Sequence, residues 1–463
     1  MTPVARRRLF GTDGIRGVVN QYPMTAEFAL ALGRAVAQHL REDKKNRRPR
    51  VLVGKDTRLS GYMLEEAFCS GLMSQGADVF LAGPLPTPGL AFLTTSLRAD
   101  AGVVISASHN PYHDNGLKIF GADGFKLPDA VEATLENYVA DSAFLDRYRP
   151  RPDGVGRAER LTDAVGRYVV FLKSSLPRNV NLEGLNLVLD CAHGAAYRTA
   201  PLVFEELGAK VKLFGARPDG VNINLGVGTL QPELCVKQVT QTGADLGLAL
   251  DGDADRIIFV DGRGRLVDGD QIMNICARRL HRLGRLNKST VVATIMSNLG
   301  LEIALNRAGI NLTRTVVGDR YVVECMRREG LNFGGEQSGH IIFLDYGTTG
   351  DGIMAALQTL LVMKEEGRTL ADLADLMEPL PQVLLNIKAA RPREAETNPA
   401  VAAQVTKVAA ELGDRGRIVL RPSGTEPLVR VMVEGEDLAE ITALAEETAD
   451  LVARELGAED DRD

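Results

Sequence analysis

Val51-Leu52-Val53-Gly54, a helix-patterned stretch from about Tyr62 to Gln75, then Gly76-Ala77-Asp78 and Val79-Phe80-Leu81 form the segment from which the fold is read. An apolar run of strand length, a helix, a glycine-led turn and a second apolar run make a crossover unit with parallel strands. The same grammar returns twice. Leu187-Val188-Leu189-Asp190 opens a second unit, with helix to Leu207, then Gly208-Ala209-Lys210 and a strand from Val211 to Phe214. Val291-Val292-Ala293 opens a third, with helix to Ala308, then Gly309-Ile310-Asn311 and a strand from Leu312 to Val317. Three alike α/β units are expected.

After each second strand a further apolar run enters a polar loop. Val103-Val104-Ile105 leads into Ser106-Ala107-Ser108-His109-Asn110-Pro111, Leu246 to Leu250 into Asp251-Gly252-Asp253-Ala254-Asp255-Arg256, and Leu331-Asn332-Phe333 into Gly334-Gly335-Glu336-Gln337-Ser338-Gly339-His340. Ligands of open α/β sheets sit at the carboxyl ends of strands, so three such loops could face one cleft. Past about residue 370 the pattern changes to a smaller α+β unit: strand Val383 to Ile387, helix from Asn398-Pro399 to Leu412, strands Arg417 to Leu420 and Leu428 to Val433, helix Asp437 to Leu456. The divisions fall near 155, 257 and 370, giving segments 1–155, 156–257, 258–370 and 371–463.

Composition agrees with this organisation. At roughly 150 residues per domain, 463 residues suggest three or four domains. The chain is 45% apolar and carries a net charge of −7, which argues against nucleic acid as a partner. Arg6-Arg7-Arg8 and Lys44 to Arg50 lack interleaved aromatics and read as solvated loops. Five widely spaced cysteines form no C-x-x-C pair, which fits a reducing compartment. No apolar run approaches about 18 residues, so no membrane partner and a cytoplasmic location are expected. Glycine, 47 residues, is the one excess.

Asp251, Asp253 and Asp255 alternate after a strand; in extended backbone their carboxylates share a face, where a hard divalent cation would relieve their repulsion. An EF-hand is excluded because its glycine position holds Arg256 and its final glutamate position Gly262. In the Ser106–Pro111 loop one hydroxyl could act as a nucleophile. In extended backbone Ser108 and His109 would point apart, making His109 a poor triad base. Arg421-Pro422-Ser423-Gly424-Thr425-Glu426-Pro427 with Arg430 reads as an anion cradle for a phosphate held without being cleaved. Glu336, Ser338 and His340, among glycines, suit hydrogen bonding to sugar hydroxyls.

Together with Phe10-Gly11-Thr12-Asp13-Gly14-Ile15-Arg16-Gly17, these loops occur in the order found in the α-D-phosphohexomutase family, which the chain resembles from residue 10 to 430. Gln337 and Val317-Gly318-Asp319-Arg320-Tyr321 resemble the family's glucosamine branch. The resemblance implies three α/β mixed-sheet domains and a smaller α+β domain around a central cleft. It implies that Ser108 is a phosphoserine and, with Asp251, Asp253 and Asp255, a ligand of one Mg²⁺. Arg16, His109 and Lys118 are implied as catalytic support. Glu336 and Ser338 would contact the sugar, and Arg421, Ser423, Gly424, Thr425 and Arg430 would grip the distal phosphate.

The implied reaction moves a phosphoryl group between O6 and O1 of glucosamine phosphate through a bisphosphate, supplying UDP-N-acetylglucosamine synthesis, with a hexose 1,6-bisphosphate as activator. Lys118 and His109 both remain candidates for proton transfer. The alternatives are the phosphomannomutase/phosphoglucomutase preference at C2, a magnesium-dependent sugar-phosphate phosphatase, or a phosphosugar-binding protein without turnover. The oligomeric state stays open, a homodimer among the options.

Overall fold

The first sheet of the computed structural model, which describes residues 9–43, 47–422 and 428–457, has six strands. They are β1 (Ile15–Val18), β2 (Arg50–Lys55), β3 (Asp78–Pro84), β4 (Ala101–Ile105), β5 (Asp114–Gly121) and β6 (Ala158–Arg160), in the order β1-β5-β4-β2-β3-β6. β2 runs parallel to β3 and β4, while β5 is antiparallel to β4 and β1. Every residue of β4 is buried, as a continuous apolar run covered on both faces should be. Val51, Val53, Val103 and Ile105 form one core with Leu32 and Phe68 of helices Ala26–Asp43 and Ser60–Ser74.

The second sheet comprises β7 (Asn186–Asp190), β8 (Lys210–Phe214), β9 (Leu246–Leu250), β10 (Ile257–Asp261) and β11 (Leu266–Val267), in the order β11-β10-β9-β7-β8. β7 is parallel to β8 and β9, repeating the first sheet's central arrangement. β10 and β11 extend this sheet beyond residue 257, because Ile257 to Asp261 pair antiparallel with Leu250 to Leu246. The third sheet contains β12 (Thr290–Thr294), β13 (Asn311–Thr315), β14 (Phe333–Gly335) and β15 (Ile341–Phe343), in the order β13-β12-β14-β15, with β14 parallel to β12. The sheets are mixed and helix-flanked, as the repeat grammar and the resemblance imply. β4, β9 and β14, the third strand of each repeat, lead directly into the three polar loops.

Contacts divide the chain into two compact units. The larger runs through residue 294 and includes 313–375; the smaller joins 295–312 to 376 onward. In the smaller unit β16 (Gln382–Lys388), β17 (Gly416–Pro422) and β18 (Leu428–Gly435) form an antiparallel sheet in the order β16-β18-β17. Its helices Pro399–Leu412 and Leu438–Leu456 begin at Asn398 and Asp437, whose side chains accept first-turn amide protons. Helix Leu299–Arg307, which the sequence assigns to the third repeat, belongs to this unit. Its cap Asn298 accepts from Leu380 N–H at 2.9 Å, and Leu299 N–H donates to the buried Glu434 at 2.9 Å.

In the larger unit, Asp351 caps helix Gly352–Glu366 by accepting from Met354 N–H (2.9 Å) and accepts the Tyr168 hydroxyl at 2.6 Å. Burial pushes its carboxyl up to about 6, outweighing those donors. The folded value lies above the unfolded one, so its contribution to stability is fully present below about pH 4 and is lost as pH rises through about 6. Asn at this position keeps the cap but cannot ionise. The stability of the wild type relative to Asp351→Asn should therefore fall by up to about 3 kcal/mol between pH 4 and 7 in denaturant titrations; a pH-independent difference would show that the group does not titrate on unfolding.

Candidate functional site

At the end of β4, Ser106 is spent on building the turn. Its hydroxyl donates to Asp56 Oδ2 (2.7 Å) and accepts from Ser108 N–H (2.9 Å). The fully buried Arg58 pairs with Asp56 (2.8 Å) and donates to the carbonyls of Ser108 (2.9 Å), Asn110 (2.8 Å) and Asp114 (3.0 Å). Asn224 reaches the Ser108 and Asn110 carbonyls at 2.9 and 3.0 Å. This scaffold holds Ser108 at φ 53°, a conformation rarely adopted by residues other than glycine. The Ser108 hydroxyl donates to Asp251 Oδ2 at 2.6 Å.

Ser108 and His109 do not point apart as extended backbone would require. With Ser108 left-handed, His109 Nδ1 lies 3.3 Å from Ser108 Oγ. Arg256 Nη1 lies 3.0 Å from the same nitrogen and can only donate, so Nδ1 is an acceptor and the ring is neutral. Burial and the positive charges of Arg256 and Arg16 lower its pKa to about 3.

Asp251, Asp253 and Asp255 are all buried, and one oxygen from each lies within 4.8 Å of the others. They converge because the loop coils, with Ala254 N–H bonded to Asp251 O (3.1 Å) and Ala254 at φ 57°, rather than because an extended strand alternates. Gly252 is required here: a Cβ would stand 2.5 Å from Ser108 O. Burial and the charges of Asp255 and Asp253 raise the Asp251 carboxyl well above the ordinary range. Asp253 Oδ1 and Asp255 Oδ1 are buried with no hydrogen-bond partner among the described residues. Two orphaned carboxylate oxygens beside a third carboxylate fit a hard divalent cation.

Lys118, on β5 and almost wholly buried, lies 2.8 Å from Asp253, 2.9 Å from Asp13 and 3.3 Å from Asp255. Burial opposes its charge, but those carboxylates hold its pKa well above the ordinary value. Arg16 binds Asp13 and reaches Ala107 O and Asn110 Oδ1 at 3.3 Å. From the third sheet, His340 Nδ1 stands 3.7 Å from Asp255 Oδ1, and Gly339, at φ 89°, lies where a Cβ would meet Ile257 O at 1.9 Å. Glu336 is buried and accepts Gly318 N–H at 3.2 Å; Ser338 is exposed. The structure thus brings Arg16, Ser108, His109, Lys118, the three aspartates and His340 together in one unit.

In the smaller unit, Arg421 and Arg430 face each other across β17 and β18. Burial and the Arg430 charge lower the Arg421 pKa, the signature of cations set opposite one another. Ser423, Gly424 and Thr425 lie outside the described residues. Sequence reasoning assigned no role to Asp13, Asp56, Arg58, Thr87, Lys126 or Asp319. Asp13 sits inside the quoted Phe10–Gly17 motif, and Asp56-Thr57-Arg58 follows an apolar run just as the recognised loops do. Thr87, whose hydroxyl donates to Asp253 Oδ2 at 2.6 Å, and Lys126 carry no local signal.

Mn²⁺ titration followed by electron paramagnetic resonance should reveal one site per chain. Asp255→Asn should weaken it by at least about tenfold, the order of a lost charged ligand; unchanged affinity would remove the aspartate loop from consideration.

Models of the phosphoglucomutase/phosphomannomutase α/β/α domains I, II and III match residues 7–146, 166–264 and 268–380, and the model of that family's C-terminal domain matches 384–451. The phosphoglucosamine mutase of Syntrophotalea carbinolica is 57% identical over 452 residues, 98% of each chain. That of an Anaeromyxobacter species is 58% identical over 458 residues, 98% of this chain and 97% of its own. Among solved structures, a phosphoglucomutase/phosphomannomutase family protein of Burkholderia thailandensis shares the fold with TM-score 0.80 at 24% identity, over 96% of this chain and 98% of the other. The N-acetylphosphoglucosamine mutase of Aspergillus fumigatus, in complex with GlcNAc-6P and magnesium, does so with TM-score 0.66 at 18% identity, over 98% and 96%. With four domain models in order and relatives this similar over nearly the whole length, the chain belongs to the α-D-phosphohexomutase family.

Proposed function

We propose that the chain interconverts glucosamine 6-phosphate and glucosamine 1-phosphate as a phosphoglucosamine mutase. The observation that carries the reading is the Ser108 hydroxyl, 2.6 Å from Asp251 in a strained turn beside two orphaned carboxylate oxygens. A structural serine needs neither the strain nor that neighbourhood. Relatives 55 to 58% identical, all phosphoglucosamine mutases, support the amino-sugar preference.

Ser108 carries the phosphoryl group between turnovers. In the first half-reaction its Oγ–P bond breaks as a bond forms from phosphorus to O1 of glucosamine 6-phosphate. The O1 proton passes to the neutral His109, or to Lys118 once that ammonium has given one of its protons to a neighbouring carboxylate. The bisphosphate turns over, the O6–P bond breaks, and the phosphoryl returns to Ser108 Oγ while O6 regains a proton. Arg16 and Arg256 offset the negative charge gathered there. A divalent cation held by Asp251, Asp253, Asp255 and the phosphoserine would draw charge from the transferring oxygens.

Glu336, Ser338 and His340 bind sugar hydroxyls in this account. Arg421 and Arg430 take whichever phosphate is not reacting, with Ser423, Gly424 and Thr425 completing the grip. The register of Arg421 against Arg430, whose charge lowers the Arg421 pKa, supports that role. A hexose 1,6-bisphosphate would restore enzyme that has lost its phosphate. We retain four segments, moving the second division from 257 to about 268, because β10 and β11 pair within the second sheet. No described helix is long and apolar enough to cross a membrane, and a cytoplasmic location is part of the proposal.

In a coupled assay, glucosamine 1-phosphate should form from glucosamine 6-phosphate, and Ser108→Ala should reduce kcat by at least about 10³, the scale of losing a covalent nucleophile. Phosphate release outpacing isomer would identify a phosphatase, and preference for mannose 1-phosphate would defeat the glucosamine assignment. Arg421→Ala should raise KM by about tenfold or more, as loss of a charged phosphate contact does.

A further inference from the structure

Lys126 lies outside every motif, yet its side chain is only 12% exposed and its Nζ bonds Asp13 Oδ1 at 2.6 Å and Asp319 Oδ2 at 2.5 Å. Asp13 uses its other oxygen for Lys118, at 2.9 Å, and for Arg16. Asp319 faces His340 Nε2 at 3.4 Å; the opposite ring nitrogen faces Asp255 at 3.7 Å, and Asp255 faces Lys118 at 3.3 Å. Asp255, Lys118, Asp13, Lys126, Asp319 and His340 therefore close a ring in which each carboxylate stands between two nitrogen bases. Three of these groups belong to the first sheet and its loops, and three to loops of the other two sheets.

We propose that Lys126 is a positioning residue for the reaction: by clamping Asp13 against Asp319 it fixes Lys118 at the aspartate loop. Lys126 and Asp319 are the two members of the ring that touch neither a proposed metal ligand nor a proposed catalytic group. Lys126 acts through Asp13. Two carboxylates bonded to one ammonium lie within a few ångströms of each other, and without the ammonium they repel in a poorly solvated site. Asp13 then moves, and Lys118 loses one of the three carboxylates that hold it. The second branch of the clamp leads to the sugar loop, because Asp319 follows Gly318, whose amide binds Glu336. The two branches make different predictions: disturbance of Lys118 lowers kcat, whereas disturbance of Glu336 weakens sugar binding.

The inference deepens the mutase reading and rests on it. Steady-state kinetics with glucosamine 6-phosphate are measured on full-length wild type, Lys126→Met, Lys126→Arg and Lys126→Met/Asp319→Asn. Lys126→Met should lower kcat by about 10- to 100-fold with KM within about threefold, the scale of a misplaced catalytic group. Lys126→Arg, which keeps the charge, should recover most of the loss. The double variant removes one positive and one negative charge, spares Asp13 the repulsion, and should be faster than Lys126→Met. Unchanged kcat in Lys126→Met, a change confined to KM, or a double variant no faster than the single one would overturn the clamp. If Lys126→Met does not fold, Lys126→Arg and the double variant carry the test, and a double variant as slow as Lys118→Met overturns it. A wild type without mutase turnover would instead sink the functional reading itself.

Discussion

Three carboxylates with oxygens within 4.8 Å of one another, all buried, set the constraint on which the rest of the larger unit depends. Such a group is strongly unfavourable unless opposite charge comes close, since buried ions lose their hydration. The chain answers with Lys118 beneath the loop and Arg256 beside it. The compensation is incomplete, because two carboxylate oxygens keep no hydrogen-bond partner among the described residues. The negative charge that remains could hold a cation, and the proposed function uses it to receive phosphate. An acidic chain can thus serve an anionic substrate, its positive charge being local.

The serine loop depends on the same neighbourhood. Arg58 and Asn224 converge on the Ser108 carbonyl from segments far apart in sequence, and Gly252 leaves room for that carbonyl against the aspartate loop. The strain at Ser108 is sustained by these contacts. Parallel β2–β4, β7–β9 and β12–β14 pairs carry the three loops to the carboxyl ends of their sheets. Repetition of one crossover unit therefore does more than fill space; it delivers chemically different loops to equivalent places.

Much of this was legible in sequence because strand, helix, turn and loop are local patterns. The apolar runs at Val51, Leu187 and Val291 and the cap residues Asn398 and Asp437 each announce an element within a few positions. The pairing of β10 and β11 with the second sheet could not be read from the sequence because pairing partners are not written in periodicity. The meeting of His109 with Ser108 was hidden because one left-handed residue reverses the geometry that extended backbone implies. Lys126 and Thr87 were invisible for a related reason: a lone lysine or threonine acquires meaning only when the fold sets it against residues more than a hundred positions away. The family resemblance assigned roles to motif positions and was silent about these intervening ones.

The central claim is that Ser108 delivers its phosphoryl group to O1 of the sugar and takes the O6 phosphoryl in exchange, with neither passing to water. Enzyme carrying ³²P on Ser108 should be mixed with glucosamine 6-phosphate and quenched through the first turnovers. The account predicts label moving into the bisphosphate and then into glucosamine 1-phosphate, with inorganic phosphate unlabelled. Label appearing first in inorganic phosphate, or isomer forming while the label stays on the protein, would contradict it.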